Sequence, residues 1–147
     1  MSANAVGVDI IETDRVRAAL ERFGERFQQR VYTAVEVAFC RGRVHELAAR
    51  FAAKEAVMKA LGTGARGLAW REIEVLPNRR GKPLVYLYGR ARERAERIGL
   101  GGLDVSMSHS REYAVAFAVG HSNEPEPDRE DWRQKLVGIL RERGLLE

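Results

Sequence analysis

The stretch RFAAKEAVMKALGTG, from Arg50 to Gly64, limits what this chain can fold into more than any other. On a helical wheel Leu47, Met58 and Leu61 fall within a quarter turn of Phe51, and Val44 and Ala48 join that face. The opposite side is Ala49, Ala53, Ala56 and Ala60, small and equally apolar. A helix apolar on all sides is a buried one, so a buried helix is expected over roughly Val44 to Leu61, with Gly62 as its C-cap. The same stretch carries Arg50, Lys54, Glu55 and Lys59. Glu55 lies about 40° from Phe51 and Lys54 about 60° away on the other flank, so both charges point toward the packed face. A buried carboxylate without a partner costs several kcal/mol or gives up its charge. Either Glu55 and Lys59 form an i, i+4 pair worth roughly a few tenths of a kcal/mol, or Glu55 binds a metal or a substrate group on a helix that lines a site. The wheel does not choose between them.

With 147 residues, 45% hydrophobic and 31% charged, the chain has the make-up of one soluble domain with a real core. No apolar run approaches a membrane span, and MSANAVGVDI lacks the pattern of a signal peptide. A cytoplasmic location and no membrane partner are therefore expected. Cys40 is the only cysteine, which excludes an intramolecular disulfide and a cysteine zinc cluster. It lies in VAFCRGR with no histidine placed to activate it, and reads as a small core residue. The net charge of +4 and pI near 9.6 favour an acidic partner. That partner could be nucleic acid, a phosphorylated small molecule or an acidic protein. No aromatic-rich basic strand or basic recognition helix stands out, so nucleic acid is not expected. Of the 25 basic residues only Lys54, Lys59, Lys82 and Lys135 are lysine. Where Arg serves as the general cation, the few Lys positions are candidates for a compact ammonium that can reach a phosphate.

Along the chain, AVGVDIIE reads as a strand from Val6 to Ile11, apolar except for Asp9. Thr13 can cap the helix DRVRAALERFG, which ends at Gly24, and ERFQQRV reads as a short helix. TAVE at Thr33 to Glu36 has capping-box spacing and opens another. After the long helix come the loop GTGARG, the strand WREIEVLP, the turn NRRGKP and the strand PLVYLYG. RARERAERIG is a basic helix, and LDVSMSHS and YAVAFAVG form a hairpin. The fold class is α+β: a single compact unit over residues 1–120, with an antiparallel sheet on the long helix. Residues 121–147 then form a polar, proline-containing linker and an amphipathic helical tail, with Trp132, Leu136, Ile139 and Leu140 on one stripe.

Three features could carry chemistry. Asp9 breaks an apolar strand; alone it reads as a helix cap or an Arg partner, but with Glu55 it could hold Mg²⁺, which often takes one or two protein carboxylates. GTG and RRGKP offer backbone N–H groups and cations that can hold phosphates, although ordinary turns look identical. In SMSHS, strand alternation puts Ser106, Ser108 and Ser110 on one face and Met107 and His109 on the other. Ser108 and His109 therefore cannot pair directly, and no G-x-S-x-G elbow is present. A phosphate-binding Ser/His edge fits better than a serine hydrolase.

Taken together, VGVDIIE, RFAAKEAVMKALGTG with WREIEV, GKP, and SMSHSREYAVAFAV resemble the holo-acyl-carrier-protein synthase family, the small phosphopantetheinyl transferases. The F-x-x-K-E-A-x-x-K-A pattern at Phe51 to Ala60, with G-x-D upstream at Gly7 to Asp9, is the most specific part. The resemblance spans residues 5 to 120, and the tail is the departure. It implies transfer of 4′-phosphopantetheine from coenzyme A to a serine of apo acyl carrier protein, with loss of adenosine 3′,5′-bisphosphate, as in fatty acid biosynthesis. It also implies Mg²⁺ and a homotrimer with sites between subunits. By the same resemblance Asp9 and Glu55 match the metal ligands, and Lys59 is assigned to the transferring or leaving phosphate. Arg50, Gly81, Lys82 and Pro83 would contact coenzyme A, and Ser108 and His109 its nucleotide end. Lys54 faces the core as a structural residue. The base would be Glu55 through a water, or hydroxide on the metal. Arg15, Arg22 and Arg26 share one face of the first helical segment and would dock an acidic carrier. The rival readings are a non-catalytic coenzyme A or nucleotide-binding module, a nucleic-acid binder and a metal-dependent phosphohydrolase; Asp9 and Glu55 argue against the first.

Overall fold

Two surfaces of small side chains decide the architecture. In the computed structural model, which describes residues 3–122 and 129–147, helix α4 (Val44–Leu61) lies across a five-stranded antiparallel sheet. The strands are β1 (Ala3–Glu12), β2 (Ile73–Pro77), β3 (Pro83–Leu87), β4 (Gly102–His109) and β5 (Tyr113–Ser122), in the order β1-β5-β4-β3-β2. Helices α1 (Thr13–Phe23), α2 (Glu25–Val31) and α3 (Ala34–Cys40) precede α4, and α5 (Gly89–Arg97) joins β3 to β4. The inward face of β5 is Ala114, Ala116 and Ala118, all fully buried, and α4 meets the sheet with Ala48, Ala52, Ala53 and Ala56. Methyl groups on both sides let helix and sheet approach closely. The approach is closest at β1, where a Cβ on Gly7 would sit 1.9 Å from the Ala56 carbonyl oxygen. Backbone cannot yield as a side chain can, so Gly7→Ala is expected to cost at least about 1–3 kcal/mol. A lower melting temperature would show it; an unchanged one would mean that α4 does not bear on β1.

The capping box at Thr33 is present: the Glu36 backbone N–H donates to the Thr33 hydroxyl at 3.2 Å, and the Thr33 N–H donates to Glu36 Oε1 at 2.9 Å. Glu36 does more than cap. It is fully buried, accepts from Lys54 Nζ at 2.7 Å and from the Val75 N–H at 2.9 Å. Lys54, also fully buried, donates to the Trp70 and Ile73 carbonyls as well. Burial pushes the Lys54 ammonium below the ordinary lysine range, and the Glu36 charge opposes that shift. Lys54 thus ties α3, α4 and β2 together from inside.

The structure corrects several expected boundaries. β1 runs from Ala3 to Glu12 because β5 pairs with it along its whole length. Thr13 is the first helical residue rather than the cap: its N–H donates to the Glu112 carbonyl at 2.8 Å, so the sheet delivers the chain into α1. Glu12 takes the cap position without a side-chain bond, and the Thr13 hydroxyl is buried without a partner among the described residues. Trp70–Glu72 is a 3₁₀ turn, not strand, because Glu72 accepts from the Ala69 N–H at 2.9 Å and the Ala91 N–H at 3.0 Å. β5 continues past Gly120 to Ser122, whose hydroxyl donates to the Ile98 carbonyl at 2.7 Å. The rest of the expected linker, 123–128, lies outside the described residues. Helix α6 (Arg129–Glu142) forms in the tail, with Trp132, Leu136 and Ile139 exposed and Leu140 half-buried. Among the described residues no helix is long and apolar enough to cross a membrane.

Candidate active site

Asp9 lies on the same face of β1 as Gly7, and the close crossing at Gly7 brings it against α4. Lys59 reaches across from α4 to β1: its ammonium donates to the Val8 carbonyl at 2.8 Å and lies 3.2 Å from Asp9 Oδ1. Glu55, one turn earlier, is half-buried. Burial pushes its carboxyl above the ordinary range, and the Asp9 charge pushes it further; Lys59 and Arg15 oppose both. Asp9, Glu55, Lys59 and Arg15 therefore form one electrostatic group at the edge of the core. Among the described residues no cluster of three or more His, Cys, Asp or Glu is placed to hold a metal. The two carboxylates remain a donor set of the size Mg²⁺ uses when water and phosphate complete its shell.

A second group forms elsewhere. Arg50, Gly81, Pro83 and His109 line a cleft of about 310 Å³ with Phe39 and Glu46. Arg50 is 2% exposed; its Nε donates to the Val75 carbonyl at 2.9 Å and an η nitrogen to Glu46 Oε2 at 2.6 Å. Its guanidinium lies over the Phe39 ring at 4.7 Å. Ser108 and Lys82 do not join this cleft. Ser108 is one residue from His109 on a strand, so it faces the opposite side of the sheet, in register with Val115. Lys82 extends toward Asp104 at 3.6 Å, on Ser108's side.

The two groups occupy opposite flanks of α4. Lys59 is nine residues after Arg50, about half a turn around the helix. Asp9 is on β1 and His109 on β4, with β5 between them. The arginines expected to dock a carrier are all exposed. Arg15 and Arg22 share α1, but Gly24 breaks the segment with a φ of 55°, so Arg26 belongs to α2 and the common helical face stops at Arg22.

This arrangement is accompanied by a match to known proteins. A family model described as the 4′-phosphopantetheinyl transferase superfamily matches residues 5–118. The chain belongs to this family. The holo-[acyl-carrier-protein] synthase of Herpetosiphon aurantiacus is 50% identical over 121 residues, covering 78% of this chain and 95% of the relative. That of Ruminiclostridium cellulolyticum is 48% identical, covering 78% and 89%. Among solved structures, the Helicobacter pylori holo-[acyl-carrier-protein] synthase in complex with coenzyme A superposes with a TM-score of 0.72 at 28% identity, over 78% of this chain and 98% of that one. The Neisseria meningitidis synthase gives a TM-score of 0.74 at 33% identity, over 79% and 96%. The match of this phosphopantetheinyl transferase to its family ends within β5, so α6 lies outside it.

Some residues on which the transferase site depends carry no local signal. Glu36 was legible as a cap but not as the partner of Lys54. Arg94 on α5 donates to the Leu61 carbonyl at 2.8 Å and so holds the C-terminal end of the helix that bears Glu55 and Lys59. Nothing in RARERAERIG separates that arginine from its neighbours. Gly7 could be read as a motif position, while its reason, the Ala56 carbonyl, lies in another element.

Proposed function

We propose that the chain transfers the 4′-phosphopantetheine arm of coenzyme A to a serine hydroxyl of apo acyl carrier protein, releasing adenosine 3′,5′-bisphosphate. The observation that carries this is the convergence of Asp9, Glu55 and Lys59 in a member of the phosphopantetheinyl transferase family. The names of its relatives and the coenzyme A in the Helicobacter pylori structure support it. In the reaction the serine oxygen bonds to the β-phosphorus, the bridging P–O bond breaks and the bisphosphate leaves with the bridging oxygen. Glu55 is the chain's candidate to accept the serine proton through a water. Lys59 is half-exposed, and its ammonium can turn from Asp9 to a phosphate oxygen and offset charge as it develops.

Asp9 and Glu55 fit a divalent cation, because the Asp9 charge raises the cost of the Glu55 charge and a cation between them would remove that cost. Mg²⁺ held there would supply positive charge to the pyrophosphate oxygens. The cleft at Arg50 and His109 would take the anionic nucleotide end. A second copy of the chain, bringing its cleft to the first copy's Asp9 and Glu55, would complete the site, as in a trimer. The outward sheet face supports self-association: Val6 pairs with Val119 and Val8 with Phe117, and all four are exposed. Arg15 and Arg22 offer an acidic carrier a basic surface near Glu55.

The test is to incubate the protein with coenzyme A, Mg²⁺ and apo carrier, then weigh the carrier by mass spectrometry. An unchanged mass would overturn the proposal, and coenzyme A cleavage without carrier would point to a phosphohydrolase. Lys59→Ala is expected to lose about 2.7–4 kcal/mol of transition-state stabilisation, roughly 10²–10³ in rate. Lys135→Ala should be unaffected, since that lysine lies on α6 and pairs with Asp131 of the same helix at 2.9 Å. Equal rates for the two variants would remove Lys59 from the chemistry.

A further inference from the structure

We infer that His45 is a positioning residue that holds His109 for the terminal phosphate of coenzyme A. This rests on the reading that the Arg50 cleft takes the nucleotide end.

His109 ends β4 on its inward face, is exposed, and lines the cleft. A side chain so placed turns among several rotamers unless something holds it. Its ring lies against that of His45, with centroids 5.3 Å apart and planes tilted by 36°. Among the described residues neither imidazole has a hydrogen-bond partner, so the ring contact is what restricts His109. His45 does not line the cleft and acts on it through His109.

The neighbouring residue makes the arrangement more specific. Glu46 follows His45 in the first turn of α4, and its carboxylate holds the Arg50 guanidinium. One helical turn thus orients two polar groups of the cleft, His109 by ring packing and Arg50 by an ion pair. Arg50 has already committed Nε to Val75 and one η nitrogen to Glu46. Its remaining N–H groups and the His109 imidazole are left to meet an anion. Glu46 and Arg50 line the cleft beside His109, and the Arg43 guanidinium covers the Phe39 ring of the same cleft at 5.2 Å. A histidine already oriented loses less side-chain freedom when it engages a phosphate.

The experiment is calorimetric titration of coenzyme A, and of dephospho-coenzyme A, which lacks the 3′-phosphate, into the full chain and two variants. His45→Ala should weaken coenzyme A binding about two- to tenfold, the worth of one ring pair. His45→Phe, which keeps a ring against His109, should restore most of the affinity. Dephospho-coenzyme A should be nearly indifferent to both changes, and in turnover His45→Ala should raise KM for coenzyme A and leave kcat unchanged. Wild-type affinity in His45→Ala would overturn the inference, as would His45→Phe no better than His45→Ala, or equal losses for the two ligands. A fall in kcat together with melting temperature would reduce His45 to a structural residue and overturn it too. A wild-type chain that does not bind coenzyme A would instead sink the reading of the cleft.

Discussion

Asp9→Ala and Glu55→Gln are each expected to lower transfer by at least about 10²–10³-fold while the chain stays folded. Each removes one of two carboxylates that share a small space, and the remaining one cannot neutralise a cation alone. Stability should respond in the opposite sense for Glu55. Its carboxyl is raised in the folded chain, first by burial and then by Asp9, so the folded state holds this proton more tightly than the unfolded state. Folding is therefore favoured most below the ordinary carboxylate value, and that contribution is lost as pH rises through the raised one. Glu55→Gln removes the penalty of the ionised form. The variant should melt higher than the wild type at neutral pH and show no such gain in acid below the ordinary value. Asp9→Ala should change stability little, because its pair with the half-exposed Lys59 is worth about 0–1 kcal/mol. Mg²⁺ should raise the melting temperature of the wild type and of neither variant. Near-normal turnover by either one at saturating Mg²⁺ would remove the metal assignment.

Lys54→Ala is expected to destabilise the chain by about 3–5 kcal/mol, the cost of leaving one member of a buried ion pair without the other. Glu36 would stay in the core with its charge, and the Trp70 and Ile73 carbonyls would lose their shared donor. Activity should fall with the folded fraction rather than through chemistry. A second substitution sharpens the test. Lys54→Met with Glu36→Gln removes both charges and keeps one side-chain oxygen, enough for either the Val75 or the Thr33 N–H group but not both, and should recover part of the loss. Denaturant midpoints measure both. A single variant within about 1 kcal/mol of the wild type would mean that water or a rearranged Glu36 compensates.

These two lysines mark how far the sequence could be read. Lys54 and Lys59 both stand in one motif, and the wheel places Lys54 toward the core and Lys59 beside Glu55. It cannot supply Glu36, eighteen residues earlier, or Asp9 on the first strand, because partners far apart along the chain leave no period in it. The long helix, the capping box and the β4–β5 hairpin were legible for the opposite reason: each is a local pattern. Thr13 was misread as a cap because its role is set by Glu112, on the far side of the chain. The candidate site divides likewise. Asp9, Glu55 and Lys59 come together, and Arg50, Gly81, Pro83 and His109 share a cleft. That the two groups fall on opposite flanks of α4 could not be read, since it depends on β5 lying between β1 and β4. Strand alternation separates Ser108 from His109 in the sequence already, and the fold sends them to different surfaces.

The pairing of β1 with β5 also sets an order of events. The first strand finds its partner in the last, so the sheet cannot close beneath α4 until Ser122 has been synthesised. Before then Gly7 lacks its partner on β5, and α4 lacks the buried alanine face of β5. Such long-range closure is slow and leaves apolar strands uncovered while it waits. On the ribosome, the alignment of Asp9 with Glu55 should therefore be among the last things this chain achieves. A nascent chain stopped inside β5 would carry every residue of that site and the geometry of none.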